Sequence, residues 1–176
     1  ELRVRTSDRR FLEASRKYLA EVGKRLAPLE IGKGGNIIMV QVENEYGSFG
    51  EDKVYLHAVK KMIQDAGFDG QLFTADGSRD YMLRNGTVPG VLAVINFGVD
   101  DAPGIAGVAK EFENLARFRQ NVPRMTGEYW IGWFDHWGEK HHTVKPELAA
   151  EGLRWMLMNN ISFNLYMFHG GTTFGF

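Results

Sequence analysis

The chain has 176 residues, a formal net charge of −1 at pH 7 and no cysteine, which excludes disulfide bonds and thiol chemistry. The near-neutral charge gives no electrostatic reason to expect binding to nucleic acid or to an anionic membrane. No apolar run approaches the roughly 20 residues of a membrane-spanning helix, and the composition, 44% hydrophobic and 24% charged, is that of a folded domain.

The predicted secondary-structure elements alternate between helices and strands along the chain. Asp8 offers an N-cap, after which apolar residues at helical spacing predict an amphipathic helix over about 9–27. A glycine-rich turn leads to the β-branched run 36–42, which predicts a buried parallel strand. The later predicted elements are, in chain order, a helix over 54–66 ending at Gly67, strands over 71–75 and 91–95, a helix over 106–120, a strand from 124 leading into Glu128, a helix over 145–159 and a strand over 161–168.

Five strands separated by helices indicate parallel βα units, and therefore an α/β fold. In such folds the functional site lies at the C-terminal ends of the strands. A complete (β/α)₈ barrel needs roughly 250 residues, so the chain is about three βα units short. Because it also starts and stops in the middle of this pattern, we expect a fragment of a longer protein.

The first candidate catalytic residue is Glu45, in the polar segment VENEYG that ends the strand over 36–42. A carboxylate at the end of a buried strand can stay protonated near neutral pH, as a general acid requires. A structural role is an equally good interpretation of this segment alone, because Asn and Glu at strand ends also cap helices.

The second candidate is Glu128, an acidic residue among the aromatic residues of the segment over 125–138. Burying it unpaired would cost several kcal/mol, so it needs a cation, a hydrogen-bond cradle or a function. Aromatic rings beside it could stack on a pyranose. For Trp133, Phe134 and Trp137 we favour a role in the core or in the wall of the site over substrate contact. Two strand-end carboxylates three βα units apart suggest a pair across a barrel mouth, and a pair about 5–5.5 Å apart is typical of a retaining glycosidase.

Three segments, GNIIMVQVENEYG at 35–47, GEYWIGWFDHWG at 127–138 and NLYMFHGGTTFG at 164–175, resemble glycoside hydrolase family 35, the β-galactosidases, in order and spacing. The resemblance covers essentially the whole chain. It implies a (β/α)₈ barrel with the acid/base on the fourth strand and the nucleophile on the seventh. The chain would then hold about strands 4 to 8, so that residues 1–176 are a fragment of one catalytic domain without its N-terminal strands and C-terminal β-rich domains. The independent strand count agrees with this assignment.

The resemblance also implies the site residues. Glu45 matches the acid/base and Glu128 the nucleophile. Asn44 matches the residue that contacts the sugar 2-hydroxyl, and Tyr166 a tyrosine near the nucleophile and the ring oxygen. Trp130 lies where relatives carry an aromatic residue, often tyrosine, near the substrate. The implied reaction is the release of terminal β-D-galactose by double displacement, with no cofactor and no metal.

The implied substrate is a β-galactoside oligosaccharide or glycoconjugate, and the family suggests a secreted, periplasmic or lysosomal protein. Two alternatives stay open. One is an exo-β-glucosaminidase or another β-glycosidase of the same clan, because the strands that set specificity lie outside the chain. The other is a truncated remnant that at most binds sugar. We also expect the isolated chain to be inactive or weakly active and prone to aggregation, because an open barrel leaves strand edges unpaired.

For the remaining polar residues we favour structural roles. Glu43 is expected to point away from the site, and Asp76 to cap the helix that follows it. Asn96 is similar but has a better chance of facing the cavity. An Asp–His pair is expected to tie the loop after the Glu128 strand, with His141 and His142 in solvent rather than on a metal.

Overall fold

The computed structural model describes residues 1–167 and 169–170 and divides into two compact units, one covering Glu1–Ala93 and one beginning at Val94. Helices and strands alternate, so the predicted α/β class is confirmed. The elements are α1 (Arg9–Leu26), β1 (Met39–Gln41), α2 (Tyr46–Phe49), α3 (Lys53–Asp65), β2 (Gln71–Asp76), α4 (Asp80–Gly86), β3 (Leu92–Gly98), α5 (Gly104–Phe118), β4 (Met125–Trp130), α6 (Pro146–Met158) and β5 (Ser162–Leu165), with two 3₁₀ turns at Ala27–Leu29 and Ile31–Lys33.

In the first unit, α1 packs against α3. The Asp8 side chain caps α1 by accepting a hydrogen bond from the backbone N–H of Arg10 at 3.0 Å, as predicted. Gly23 allows the two helices to approach, because a Cβ there would lie 2.1 Å from the carbonyl oxygen of Ala66. Apolar residues of α1 pack against a buried cluster from α3 that comprises Tyr55, Leu56, Val59, Met62 and Ile63.

The first strand is shorter and less buried than the sequence predicts. β1 pairs in parallel with β2, with Met39 opposite Gln71. The preceding residues pair elsewhere, since Ile37 forms a bridge with Glu30 instead of with β2. Ile38 is consequently 63% exposed, whereas Val42, just after the strand, is 1% exposed. The prediction of a continuously buried strand over 36–42 was therefore wrong at its N-terminal half.

In the second unit, the parallel strand β4 lies between β3 and β5. Its core is built on aromatic rings, with Phe97 of β3 in edge contact with Phe112 of α5 at 5.7 Å and with Tyr129 of β4 at 5.5 Å between centroids. Gly152 lets α6 pack closely, because a Cβ there would lie 2.2 Å from the Tyr129 hydroxyl. β5 begins at Ser162, and the end of the predicted strand, Phe168, lies outside the described residues.

Two helices, α2 and α4, were not predicted from the sequence. Helix α4 depends on a distant side chain, because Lys53 Nζ donates hydrogen bonds to the carbonyl oxygens of Arg84, Asn85 and Thr87 at its C-terminal end. Such a long-range cap leaves no local sequence pattern. Throughout the part of the chain that the structure describes, no helix is both long and apolar enough to cross a lipid bilayer.

Candidate active site

Glu45 lies four residues beyond β1, where the backbone turns sharply into α2. Both Glu43 and Glu45 have left-handed backbone conformations, with φ of 61° and 49°. For residues other than glycine this costs about 1–3 kcal/mol each and persists only where the surroundings enforce it. The backbone N–H of Glu45 donates to the carbonyl oxygen of Ala75 at the end of β2 at 2.9 Å, and the residue occupies the N-cap position of α2. Glu45 is half-buried.

Glu43 is held by several hydrogen-bond donors and has the structural role that the sequence favoured. Arg5 donates to both of its carboxylate oxygens, from Nε at 3.0 Å and from Nη2 at 2.8 Å. The Tyr55 hydroxyl donates at 2.6 Å and the backbone N–H of Asn44 at 2.7 Å. Burial acts to raise the pKa of Glu43, but the hydrogen bonds from Arg5 and Tyr55 outweigh it, so this pKa lies below its ordinary value. The carboxylate is therefore ionised at neutral pH.

Arg5 also contacts the segment on either side of Glu43. Its Nη2 donates to the carbonyl oxygen of Asn44 at 2.6 Å. Its guanidinium carbon lies 4.1 Å from the ring centroid of Phe49 in α2, and its carbonyl oxygen accepts from the Tyr46 hydroxyl at 3.3 Å. Arg5 was not predicted from the sequence, because no local pattern connects it to Glu43, 38 residues away.

Asn44 is exposed between the two left-handed residues. Gln41 Nε2 donates to Asn44 Oδ1 at 2.8 Å and to the carbonyl oxygen of Glu43 at 2.8 Å. Because Gln41 donates to it, the amide oxygen of Asn44 is distinguished from the amide nitrogen. The Nδ2 group of Asn44 can therefore donate a hydrogen bond to a ligand.

Asp76, at the end of β2, is a buried carboxylate, 1% exposed. Its Oδ1 accepts from the backbone N–H of Gly47 at 2.7 Å, which caps the N-terminal end of α2. The prediction that Asp76 caps the helix after β2 was wrong, because that helix, α4, has no side-chain cap and Asp76 caps the earlier helix α2. Close packing holds the carboxylate in place, since a Cβ on Gly86 would lie 1.8 Å from Oδ1. Burial raises the pKa of Asp76 to about 6, and the charge of Glu45 acts in the same direction.

In the second unit, Glu128 is a half-buried residue of β4. Trp130, two residues further along the strand, is on the same face, and its indole Nε1 donates to Glu128 Oε2 at 2.8 Å. Asn164 of β5 donates from Nδ2 to the carbonyl oxygen of Gly127 at 3.1 Å, which fixes the backbone just before Glu128. Glu128 thus has the hydrogen-bond partner that an acidic residue in an aromatic segment requires.

The aromatic residues after β4 form an exposed series rather than a core. Trp133 is 50%, Phe134 61% and Trp137 89% exposed. Trp130 contacts Trp133 edge-on at 5.5 Å, and Trp133 stacks on Phe134 at 4.9 Å. These residues were predicted to lie in the core or in the wall of the site. They lie outside the core, which Tyr129, Phe97 and Phe112 fill. Trp130 and Trp133 instead line a cleft of about 290 Å³, together with Gly98, Val99, Asp100, Asp101, Gly132, His142 and Val144.

Histidine–carboxylate pairs organise the loop between β4 and α6. The Nδ1 of His141 lies 2.6 Å from Asp135 Oδ2, and the backbone N–H of His142 donates to Asp135 Oδ1 at 2.7 Å. An Asp–His pair was predicted in this loop, but it forms through His141, which was expected to lie in solvent, whereas the Nδ1 of His136 lies 2.8 Å from Glu139 Oε2. His142 was wrongly expected to lie in solvent, because its Nε2 is 2.9 Å from Asp100 Oδ2 in the loop after β3. Within residues 1–167 and 169–170, no three His, Asp or Glu side chains are arranged to hold a metal ion.

Two further predicted residues have distinct environments. Asn96 lies inside β3 and is 3% exposed, so it belongs to the interior of the strand rather than to a strand end. Tyr166 follows β5, is half exposed and donates its backbone N–H to the carbonyl oxygen of Tyr129 at 3.0 Å. The last part of the third motif, from residue 171 onwards, lies outside the described residues.

Comparison with known proteins identifies the family. The sequence profile described as "Glycosyl hydrolases family 35" matches residues 1–176. The chain belongs to this family. "Beta-galactosidase" from Xanthomonas manihotis is 51% identical over 176 residues, which are 99% of this chain and 28% of that protein. "Beta-galactosidase-1-like protein 3" from Homo sapiens is 39% identical over 176 residues, which are 99% of this chain and 25% of that protein. The family 35 chain thus spans about a quarter of the length of these curated relatives.

Solved structures similar to the family 35 chain show its fold. The catalytic domain of Thermobifida fusca endoglucanase Cel5A matches with a TM-score of 0.50 and 16% identity, over 88% of this chain and 50% of that one. The Ignisphaera aggregans GH53 catalytic domain matches with a TM-score of 0.51 and 15% identity, over 86% of this chain and 53% of that one. This similarity confirms the predicted fold class, part of a (β/α)₈ barrel.

Within each unit, the structure of the family 35 chain brings predicted residues together. In the first unit Asn44 and Glu45 are consecutive, and Asp76 supports the helix that begins at Glu45. In the second unit Trp130 contacts Glu128 directly. The observed strands also reproduce the predicted spacing, because Glu128 lies on the third strand after β1.

Proposed function

We propose that this chain carries the two catalytic carboxylates of a retaining β-galactosidase, with Glu45 as acid/base and Glu128 as nucleophile. The single observation that carries the proposal is that each residue sits in a fixed hydrogen-bonded setting on a βα unit, one after β1 and one on β4. Membership of family 35 and the names of the relatives point to the same chemistry. Residues 1–176 would then be part of one catalytic domain.

Glu128 would begin the reaction by attacking the anomeric carbon of a terminal galactose, forming a covalent glycosyl-enzyme. The hydrogen bond from Trp130 to Oε2 leaves Oε1 as the attacking oxygen. It also fixes the plane of the carboxylate, so that little reorganisation is needed before attack.

Glu45 would protonate the departing glycosidic oxygen in the first step and remove a proton from water in the second. Water then attacks the glycosyl-enzyme, and galactose leaves with its β configuration retained. This double displacement requires the two carboxyl groups to lie about 5–5.5 Å apart in the active enzyme, and it runs on carboxylates alone.

The residues around the pair would hold the sugar. The Oδ1 of Asn44 accepts from Gln41, and we assign the Nδ2 donor to the 2-hydroxyl, where a hydrogen bond that strengthens in the transition state accelerates the reaction. Tyr166 would lie near the nucleophile and the ring oxygen. Trp130 would contribute an aromatic wall beside the sugar, in addition to its hydrogen bond to Glu128. The substrate class is a β-galactoside oligosaccharide or glycoconjugate.

A panel of 4-nitrophenyl glycosides tests this function in the protein that carries the chain. We expect hydrolysis of the β-galactoside, and NMR during the reaction should show β-galactose as the first-formed anomer. Preferred hydrolysis of the β-glucosaminide or β-glucoside would favour a different β-glycosidase of the clan. First-formed α-galactose would rule out the retaining mechanism. Sugar binding without hydrolysis would indicate a non-catalytic protein.

A further inference from the structure

The guanidinium of Arg5 bridges the two residues that directly precede Glu45. It forms a two-pronged hydrogen bond to the carboxylate of Glu43, at 3.0 and 2.8 Å, and a third hydrogen bond to the carbonyl oxygen of Asn44 at 2.6 Å. We propose that Arg5 is a positioning residue, which acts through the Glu43 carboxylate and the Asn44 carbonyl oxygen to hold the acid/base Glu45 in its working geometry. This proposal rests on the proposed function.

The backbone between Glu43 and Glu45 has an unusual conformation. Glu43 and Glu45 are both left-handed, with φ of 61° and 49°, a conformation that residues other than glycine rarely adopt. An extended path after Val42 would send the Glu45 side chain elsewhere. Glycine is the residue that usually occupies left-handed positions. It cannot stand at either position here, because Glu45 needs its carboxylate for catalysis and Glu43 needs its carboxylate to bind Arg5. The surrounding contacts therefore have to enforce the turn.

The contacts of Arg5 and Glu43 connect this turn to two helices. The Tyr55 hydroxyl of α3 donates to the same Glu43 oxygen as Arg5 Nε, at 2.6 Å. On the other side, the Arg5 guanidinium lies 4.1 Å from the ring centroid of Phe49 in α2, the helix that Glu45 begins. Arg5 thus connects the residues before Glu45 to the helix after it.

The guanidinium group is suited to this role by its chemistry. A planar guanidinium can serve both carboxylate oxygens and a carbonyl oxygen at once while it lies over an aromatic ring. A lysine ammonium keeps the charge but cannot reproduce the two-pronged geometry. Arg5→Lys therefore perturbs the position of the segment while it preserves the electrostatics.

The role predicts a dependence on the leaving group. Proton donation by Glu45 matters when the leaving group is a poor one such as phenol, and hardly matters when it is 2,4-dinitrophenolate. The parameter kcat/KM reports this first step. For phenyl β-galactoside we expect Arg5→Lys to lower kcat/KM by about 10²-fold, the typical cost of a misplacement of about 1 Å. For 2,4-dinitrophenyl β-galactoside we expect a change of less than about threefold, because general acid catalysis is not needed there.

The experiment measures kcat/KM of both substrates for wild type, Arg5→Lys, Glu43→Gln, Glu45→Ala and Arg84→Lys. Glu45→Ala sets the scale of a lost general acid. Arg84→Lys is the matched control, because Arg84 is an exposed arginine paired with Asp80 at 2.6 Å. Glu43→Gln keeps an acceptor oxygen and tests the same segment if Arg5→Lys fails to fold. Circular dichroism verifies the fold of each variant.

The proposal is supported if Arg5→Lys or Glu43→Gln reproduces the leaving-group dependence of Glu45→Ala. Equal losses on both substrates, or no loss on either, would overturn it, since a general effect on folding lowers both alike. If Glu45→Ala itself shows no dependence on the leaving group, the proposed function fails and this proposal fails with it. The two failures are therefore distinguishable.

Discussion

The indole nitrogen of Trp130 donates a hydrogen bond to Oε2 of Glu128 at 2.8 Å, along one face of β4. This contact joins the residue that we propose as nucleophile to the aromatic residues of the adjoining cleft. A carboxylate that must attack a carbon atom benefits from such a contact, because one oxygen is held while the other stays available.

Replacement of Trp130 by phenylalanine should slow the reaction by removing this donor. A hydrogen bond to a charged group contributes about 1.5–3 kcal/mol, so we expect kcat/KM for an aryl β-galactoside to fall by about 10- to 100-fold. Trp137→Phe is the control, because Trp137 is 89% exposed. A Trp130→Phe variant with wild-type kcat/KM would show that the hydrogen bond has no role in catalysis.

Asp76 should make the free energy of unfolding depend on pH, and the substitution Asp76→Asn should remove this dependence. Burial raises the pKa of Asp76 to about 6, above the ordinary value of 3.8. As the pH rises from about 4 to about 6, the unfolded chain ionises first, so the wild type loses stability over this range. Relative to wild type, Asp76→Asn should therefore gain stability between pH 4 and pH 7, on the order of 1–3 kcal/mol.

Urea unfolding of both proteins at several pH values measures this difference. Asp76→Ala provides the contrast, because it also loses the acceptor for the Gly47 N–H and should be less stable by about 0.5–2 kcal/mol through loss of the cap. A constant difference between Asp76→Asn and wild type across the range would contradict the account.

Glu30 should have the opposite pH dependence. It is 2% exposed and accepts hydrogen bonds from Lys33 and from the backbone N–H groups of Asp69 and Gly70. The hydrogen bond from Lys33 is the main cause that lowers the pKa of Glu30 to about 2, against the effect of burial. Its stabilisation is present above the ordinary value of 4.5 and is lost as the pH falls towards 2.

Glu30→Gln should therefore lower the free energy of unfolding at pH 7 by about 1.5–3 kcal/mol, and much less near pH 2. The matched control is Glu21→Gln, because Glu21 is an exposed residue paired with Lys24 in α1. An equal loss for Glu30→Gln at both pH values would show that the charge of Glu30 does not stabilise the fold.

The Tyr129 hydroxyl should be dispensable for stability. Tyr129 is fully buried, and no described residue offers its hydroxyl a hydrogen-bond partner. Tyr129→Phe removes an unsatisfied polar group and should leave the melting temperature unchanged or raise it.

Gly152→Ala should lower the melting temperature, since the added Cβ would lie 2.2 Å from the Tyr129 hydroxyl and overpacking costs about 1–3 kcal/mol. In a Tyr129→Phe background the cost of Gly152→Ala should shrink, and thermal unfolding of the double variant tests this.

Much of the fold could be predicted because local patterns specify it. The Asp8 N-cap, the helical spacing of α1 and the glycine after α3 each depend on neighbouring residues. The contact between Trp130 and Glu128 also follows from strand periodicity once β4 is known. Helix α4 could not be predicted in this way, because Lys53 supplies its cap from 31 to 34 residues away.

In the candidate site, too, residues specified by local patterns were predicted and residues held by long-range contacts were not. Its carboxylates were predicted from strand-end position and from the family motifs, whereas Arg5 was missed because its contact with Glu43 spans 38 residues. For the exposed aromatic residues after β4, core and wall of the site both stayed open, since an apolar composition does not distinguish a buried ring from one that borders a cleft. Trp133, for example, has a large apolar side chain like those of core residues, but it is half exposed.

The central claim is that Glu128 is the nucleophile of a retaining β-galactosidase. The most direct measurement uses 2-deoxy-2-fluoro-β-D-galactosyl fluoride, which forms the glycosyl-enzyme but releases it slowly. Incubation with the protein that carries this chain, followed by peptic digestion and mass spectrometry, locates the label. We predict one 2-fluorogalactosyl group per site, attached to Glu128, and no label in Glu128→Gln. A label on any other residue, or undiminished turnover of a β-galactoside by Glu128→Gln, would contradict the account.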